Sequence, residues 1–351
     1  MLQKSIRLLL ALIVVLCFSS CEKSANNKSK NDKVEINEVF NDSNYVVNSN
    51  YSLGDVRRYG IFPDSAFSNI HPFTKESKFK TALDLSEEYG IELFFPRGYY
   101  KRALILDSRK NVTISFDMAE FDVIHITHNS SSKASPENIN LKGRVVSYDR
   151  LGITEAKNIN IDTVYLKTDT TKNLRNMRGR GCHIYHGCNN IKIKYLEIDD
   201  FGSGDKSYQH NHAAIAIDGY GNNPIKVQIN KAIIKSTDRH GLYITGKDHL
   251  IGEIIIQKFG IGSSKEMSAM QDADKGEEKE FKALWINKCY NSFIENIVIN
   301  EKDSKGKYTA HLDSGNNTRP VTIGYLEVVN DNPKIGILKG KDNAVVIENM
   351  N

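Results

Sequence analysis

The run Gly181-Cys182-His183-Ile184 is followed by Ala213-Ala214-Ile215-Ala216-Ile217, then Val227-Gln228-Ile229, then Gly241-Leu242-Tyr243-Ile244. Such short, β-branched stretches between polar turns read as strands. Taking Ile184, Ile215, Leu242, Leu284, Leu312 and Ile337 as equivalent strand centres gives spacings of 31, 27, 42, 28 and 25 residues. Each centre precedes a second apolar run: Ile191/Ile193, Val227/Ile229, Ile254/Ile256, Ile294/Ile297/Ile299, Val321/Ile323 and Val345/Ile347. The long interval holds a polar, charged stretch, Ser263 to Glu280, which reads as a loop inserted near 259–281. A repeat of this length with two or three strands each is a solenoid, because no single coil can bury its apolar face alone. The expected architecture is all-β, a parallel β-helix. Asn111, Asn158, Asn190 and Asn343 each stand just before an apolar run, where asparagine serves turns that need left-handed backbone.

The composition agrees. The chain has 351 residues, is 40% hydrophobic and 26% charged, carries seven prolines and has a formal charge of +4. These values exclude wholesale disorder and a collagen-like fibre. They give no argument for nucleic acid as a partner.

The N-terminus stands apart. Lys4 and Arg7 precede an apolar stretch from Leu8 to Phe18, too short to span a bilayer, and the segment closes on Phe18-Ser19-Ser20-Cys21. Small residues before a cysteine resemble a bacterial lipobox, which implies lipidation at Cys21, removal of residues 1–20 and an exported, outer-membrane lipoprotein on the surface or periplasmic face. The alternative is an ordinary signal peptide cut nearby. Residues 21–50 read as a flexible tether and 51–351 as one domain. Of the remaining cysteines, Cys182 and Cys188 either pair or sit as small buried side chains.

Tyr59-Gly60-Ile61-Phe62-Pro63-Asp64, the helically spaced Lys78 to Tyr89, and Ile91-Glu92-Leu93-Phe94-Phe95-Pro96-Arg97-Gly98-Tyr99-Tyr100 resemble the entrance of pectate-lyase-like β-helices. That resemblance covers 55–351 and implies a right-handed coil with a short N-terminal capping helix. It departs from the family in lacking the usual Gly-Asp-Gly and Asp-Asp between Asp64 and Lys78. With the lipobox, the chain resembles polysaccharide-degrading lipoproteins of Bacteroidetes, whose common work is cleavage of uronate-containing polymers.

Alternation fixes what faces out. With the centres above pointing inward, Tyr185, Ala216, Tyr243 and Trp285 form one outward row and His183, Ala214, Gly241 and Ala283 lie one residue back. His212 and Arg239 come two residues before that. Small residues within a polar, aromatic rim suit a sugar-chain groove. β-Elimination on a uronate needs the carboxylate neutralised, a base for the C5 proton and an acid for the leaving oxygen. Arg239 fits the first role; His240 or His212, and Tyr243, fit the others. Asp238-Arg239-His240-Gly241 is somewhat similar to an Asp-Pro-His-Glu motif of β-helix uronate epimerases, matching at Asp238 and His240 only. Strict alternation sends His240 inward unless the strand kinks at Gly241.

His183, Tyr185, Trp285, Lys247, His210, Arg178 and Arg180 are the expected substrate contacts, the arginines belonging to a basic run with Lys172 and Arg175. No metal cluster lies on the proposed face, so no cofactor is expected; calcium held by loop acids such as Asp272, Asp274 and Glu277 is the alternative. The expected function is a monomeric lyase of an acidic polysaccharide, of the chondroitin or hyaluronan kind before alginate or pectin. A glycoside hydrolase using Asp199, Asp200, Asp205 or Asp218, and a non-catalytic carbohydrate-binding or adhesion β-helix, are the other classes.

Overall fold

The computed structural model describes residues 40–351 except 66–68, 129–133, 168–180, 201–212, 238, 262–280, 305, 307, 314–318, 331–335 and 340–344. Cys21, His210, His212, Arg178, Arg180, Asp205, Asp238, Asn343 and most of the expected insertion therefore lie outside the described residues.

Two parallel ladders make the body, Asp42–Asn351. The first runs through Ala103–Asp107, Val123–Thr127, Arg150–Ile153, Gly181–Ile184, Ala213–Ile217, His240–Lys247, Lys282–Tyr290, Tyr308–Asp313 and Gly336–Lys339. The second runs through Thr113–Phe121, Glu137–Ser147, Lys157–Leu166, Asn189–Asp200, Ile225–Thr237, Leu250–Ile256, Ser292–Asn300, Val321–Val329 and Val345–Met350. Consecutive strands belong to alternate ladders and each pairs in parallel with the next but one, which is consistent with a solenoid. Parallel pairing places like residues above one another, so one apolar column continues through Leu104, Ile124, Leu151, Cys182, Ile215, Leu242, Leu284 and Ala310, all fully buried. Each large member contributes about 1.5–3 kcal/mol by leaving water.

The register corrects the expected one. Ile215 pairs with Cys182, not Ile184, and Leu312 pairs with Ile286, not Leu284. A two-residue slip keeps every side chain on its face, so the inward residues stay inward while their neighbours across the ladder change.

Asparagines pin the turns. Asn111, Asn138, Asn158 and Asn190 all have φ between 55° and 59°, and three side-chain amides link them, donating to the preceding oxygen: Asn138 to Asn111 at 2.9 Å, Asn158 to Asn138 at 3.0 Å, Asn190 to Asn158 at 2.8 Å. The turn residue is also the stacking residue.

The N-terminal end is closed by helix α1 (Lys78–Tyr89), which buries Ala82, Leu83 and Leu85 and ends at left-handed Gly90. Gly98, at φ 137°, passes so close to Pro63 that a Cβ would lie 2.4 Å from its ring. Residues 42–50, expected in the tether, join the body instead: Arg58 makes two hydrogen bonds to Asp42, at 2.6 and 2.8 Å, and His71 bonds the Tyr45 carbonyl oxygen at 2.8 Å. Among the described residues, no helix is long and apolar enough to cross a membrane.

Candidate functional site

Gly241 creates the site by breaking the alternation of its strand. A Cβ there would lie 2.4 Å from the Ala283 carbonyl oxygen and 2.9 Å from the buried Ile256 side chain, so this position faces the interior, as does fully buried Leu242. Two successive inward residues leave both His240 and Tyr243 on the outer face, where their rings meet Trp285 at 5.1 and 4.5 Å. His240 is thus not inward beside Leu242, and the kink at Gly241 is the reason. The preceding coil repeats the device: Ala213 and Ala216 pack with Tyr243 and Trp285 in a small cluster of their own.

The true register assembles one outward row through His125, Gly152, His183, Ala216, Tyr243, Trp285 and His311. Sequence alternation placed Tyr185 in this row and His183 one residue back; the two-residue slip exchanges them. Tyr185 stays close, its phenol oxygen 2.7 Å from His183 Nδ1. Trp285 is sandwiched, with the His311 ring parallel to it at 6.0 Å and Lys282 Nζ 4.6 Å above it. Gly152 lies against the His125 ring, which a Cβ there would meet at 3.1 Å, and Ala216 is buried in the cluster with Tyr243.

Hydrogen bonds and burial set the chemistry. The Lys282 backbone N–H donates to His240 Nδ1 at 3.0 Å. Burial first, then the Lys282 and Arg239 charges, push the His240 imidazole well below its ordinary range. Its neutral ring accepts at Nδ1 and therefore carries its proton on Nε2. Tyr243 moves the other way, up to about 12, through burial and the nearby Asp218 charge, while Asn287 Nδ2 donates to its oxygen at 3.3 Å. Burial raises the Asp218 carboxyl too, against hydrogen bonds from the Tyr220 N–H and the Thr245 hydroxyl, both at 3.3 Å.

Arg239 is buried, as are His183, Tyr243 and His240, so these side chains point away from the core column without lining an open trough; the Arg239 N–H donates to Thr237 Oγ1 at 3.2 Å and its carbonyl accepts the Gly260 N–H at 2.9 Å. Lys247 is not in the row. A register shift between Ile244 and Gly246 pairs it with Tyr290, over whose ring its Nζ lies at 5.9 Å. Cys182, Cys188 and Cys289 are free and buried, and burial lifts their thiols to about 12, so they are protonated packing residues. Among the described residues, no group of three or more His, Cys, Asp or Glu could hold a metal ion.

Sequence reasoning missed Lys282, His311 and Asn287. It also missed the His125–Arg150 pair, in which Arg150 Nε donates to His125 Nε2 at 2.7 Å. The signal for His311 was present: sliding Tyr308–Asp313 by two residues sets it beside Trp285. A carboxylate pair was missed as well. Glu120 and Asp122 flank buried Phe121 and accept hydrogen bonds from Tyr148 and Tyr99 respectively.

No protein-family model, curated protein or solved structure matches the chain.

Proposed function

We propose that the protein is a polysaccharide lyase, cleaving a uronate-containing polymer by β-elimination on the outward row of a right-handed parallel β-helix. The right hand follows the near-universal hand of crossovers between parallel strands. His240 Nε2–H, with Arg239 and Lys282 behind it, meets the uronate carboxylate and lets charge build on it as C5 loses its proton. The base proposed for that proton is His212, as the sequence reading has it; the C5–H electrons form the C4–C5 double bond. Tyr243, held protonated by its raised pKa, supplies the proton to the departing glycosidic oxygen. Trp285 is the platform for a sugar face.

The observation that carries this proposal is the arrangement at Gly241: a neutral imidazole donor and a protonated phenol side by side, backed by two cations. Basic and histidine-rich surroundings favour chondroitin or hyaluronan over alginate and pectin. The lipobox-like Cys21 extends the proposal to a monomer anchored to an outer membrane, acting on a polymer outside. The test is near-ultraviolet absorbance from new unsaturated uronate, and its loss in Tyr243→Phe.

Hydrolysis is the second reading, favoured by one observation. Glu120 and Asp122 stand two residues apart, each hydrogen-bonded to a tyrosine, and supply the two acids that a hydrolase uses. Asp218 and Asp313 do not offer this: three ladder steps, about 14 Å, lie between them. New reducing ends without unsaturated product would select it.

A further inference from the structure

A second cluster of cations lies far along the chain from the row, at the N-terminal end. Lys78 opens α1 and Arg102 precedes the first strand of the first ladder; together with Gly60, Phe62, Asn69 and Phe79 they line a cavity of about 30 Å³. That is enough for more than one water, which needs roughly 10–15 Å³, and far too little for a sugar ring. Among the described residues, none that lines it is acidic.

Pairing elsewhere on the same helix makes the contrast. Lys80 bridges Glu76 and Asp84, and Arg109 bridges Asp84 and Glu87. Among the described residues, neither Lys78 nor Arg102 forms an ion pair: Arg102 donates to the Asn69 side-chain oxygen and lies 4.5 Å over the Phe79 ring. Asp122, the carboxylate acting on Arg102 from a distance, is engaged by the Tyr99 hydroxyl. The Lys78 ammonium sits over Gly60, where a Cβ would come within 3.3 Å of it. Burial lowers both groups, and the Arg102 charge lowers Lys78 further. Two like charges held beside a small polar cavity are stabilised by an anion that enters it.

We propose that Lys78 and Arg102, with the Asn69 amide, form a binding site for one small oxyanion, a sulfate, phosphate or carboxylate group. The anion is either a free ion or a substituent of a charged glycan; the chemistry of recognition is the same. It is independent of the lyase proposal, because none of these residues belongs to the outward row.

The test titrates the full chain with sodium sulfate, with sodium phosphate and with a sulfated glycosaminoglycan, at constant ionic strength, by calorimetry and thermal unfolding. Saturable binding of at least one probe is expected, weakened about tenfold or more in Lys78→Met and in Arg102→Gln. Lys157→Met, an equal loss of charge elsewhere, is expected to bind as wild type does. Inorganic ions sufficing identifies a free-ion site; the polymer alone sufficing identifies a glycan substituent. Lys78→Met is expected to unfold no earlier than wild type without added anion, since it removes a repulsion. Equal affinities in wild type and Lys78→Met for every probe, or no saturable binding at all, would overturn the proposal.

Discussion

His240 Nδ1 accepts the backbone N–H of Lys282 at 3.0 Å, across one step of the ladder. This contact determines what the imidazole can do. A neutral histidine whose Nδ1 lone pair is occupied offers only an N–H at Nε2, so in the proposed elimination His240 is a donor and not a base. His240→Gln, which keeps a donor, is expected to retain more turnover than His240→Ala. Steady-state kinetics on a uronate polymer checks this; equal loss in both variants would contradict it.

Tyr243 is the complementary case. With its phenol raised to about 12, it is protonated through the neutral range. Tyr243→Phe is expected to lower kcat by about 10²–10⁴-fold with little change in KM, the size of a lost proton transfer. Wild-type activity should show no alkaline decline from this group below about pH 10. An unchanged kcat in the phenylalanine variant removes Tyr243 from the chemistry.

The parity break needs a glycine. Gly241→Ala puts a methyl group 2.4 Å from a backbone oxygen and 2.9 Å from a core side chain, which costs about 2–4 kcal/mol. Because Trp285 is the chain's one tryptophan and contacts both His240 and Tyr243, its fluorescence reports the rearrangement directly. Urea unfolding and the emission maximum measure both effects.

Much of the fold is legible in the sequence. The strand repeat, the inward set, the helix over 78–89 and the turn asparagines all follow from period and residue type. The register was not legible, because a period of two leaves slips of two residues indistinguishable on apolar pattern alone, and Cys182 or Ala310 fills the column where Ile184 or Leu312 was expected. The same ambiguity hid His183 and His311 from the row they share with Tyr243 and Trp285. Lys282 was invisible for another reason: its relation to His240 runs through a backbone N–H, which sequence pattern does not encode.

Stability should depend on pH through a second histidine. His249 Nδ1 accepts the Val227 N–H at 3.1 Å, and burial lowers the ring to about 4. The unfolded chain binds that proton at about 6.5, the native state only near 4, so the stabilisation is complete above pH 6.5 and is lost as pH falls from 6.5 toward 4. About 3 kcal/mol is at stake. Urea midpoints measured from pH 7 to pH 4 should fall over this window, and the fall should be shallower in His249→Asn.

The asparagine ladder can be weighed by one residue. Asn138→Ala removes a hydrogen bond on each side and leaves a Cβ residue at φ 56°, with an expected cost of about 1–3 kcal/mol. Asn138→Gly relieves the backbone but not the lost bonds and should fall between. Chemical unfolding of the two variants separates the contributions.

The central claim is elimination on the outward row. The most direct measurement incubates the full chain with chondroitin, hyaluronan, alginate and pectin and follows absorbance near 230 nm, where C4–C5 unsaturated uronates absorb, beside a reducing-end assay. A rise with at least one polymer, abolished in Tyr243→Phe, is the predicted result. New reducing ends without absorbance, or Trp285 fluorescence reporting bound polymer with neither signal, would contradict elimination and assign the chain to hydrolysis or to binding.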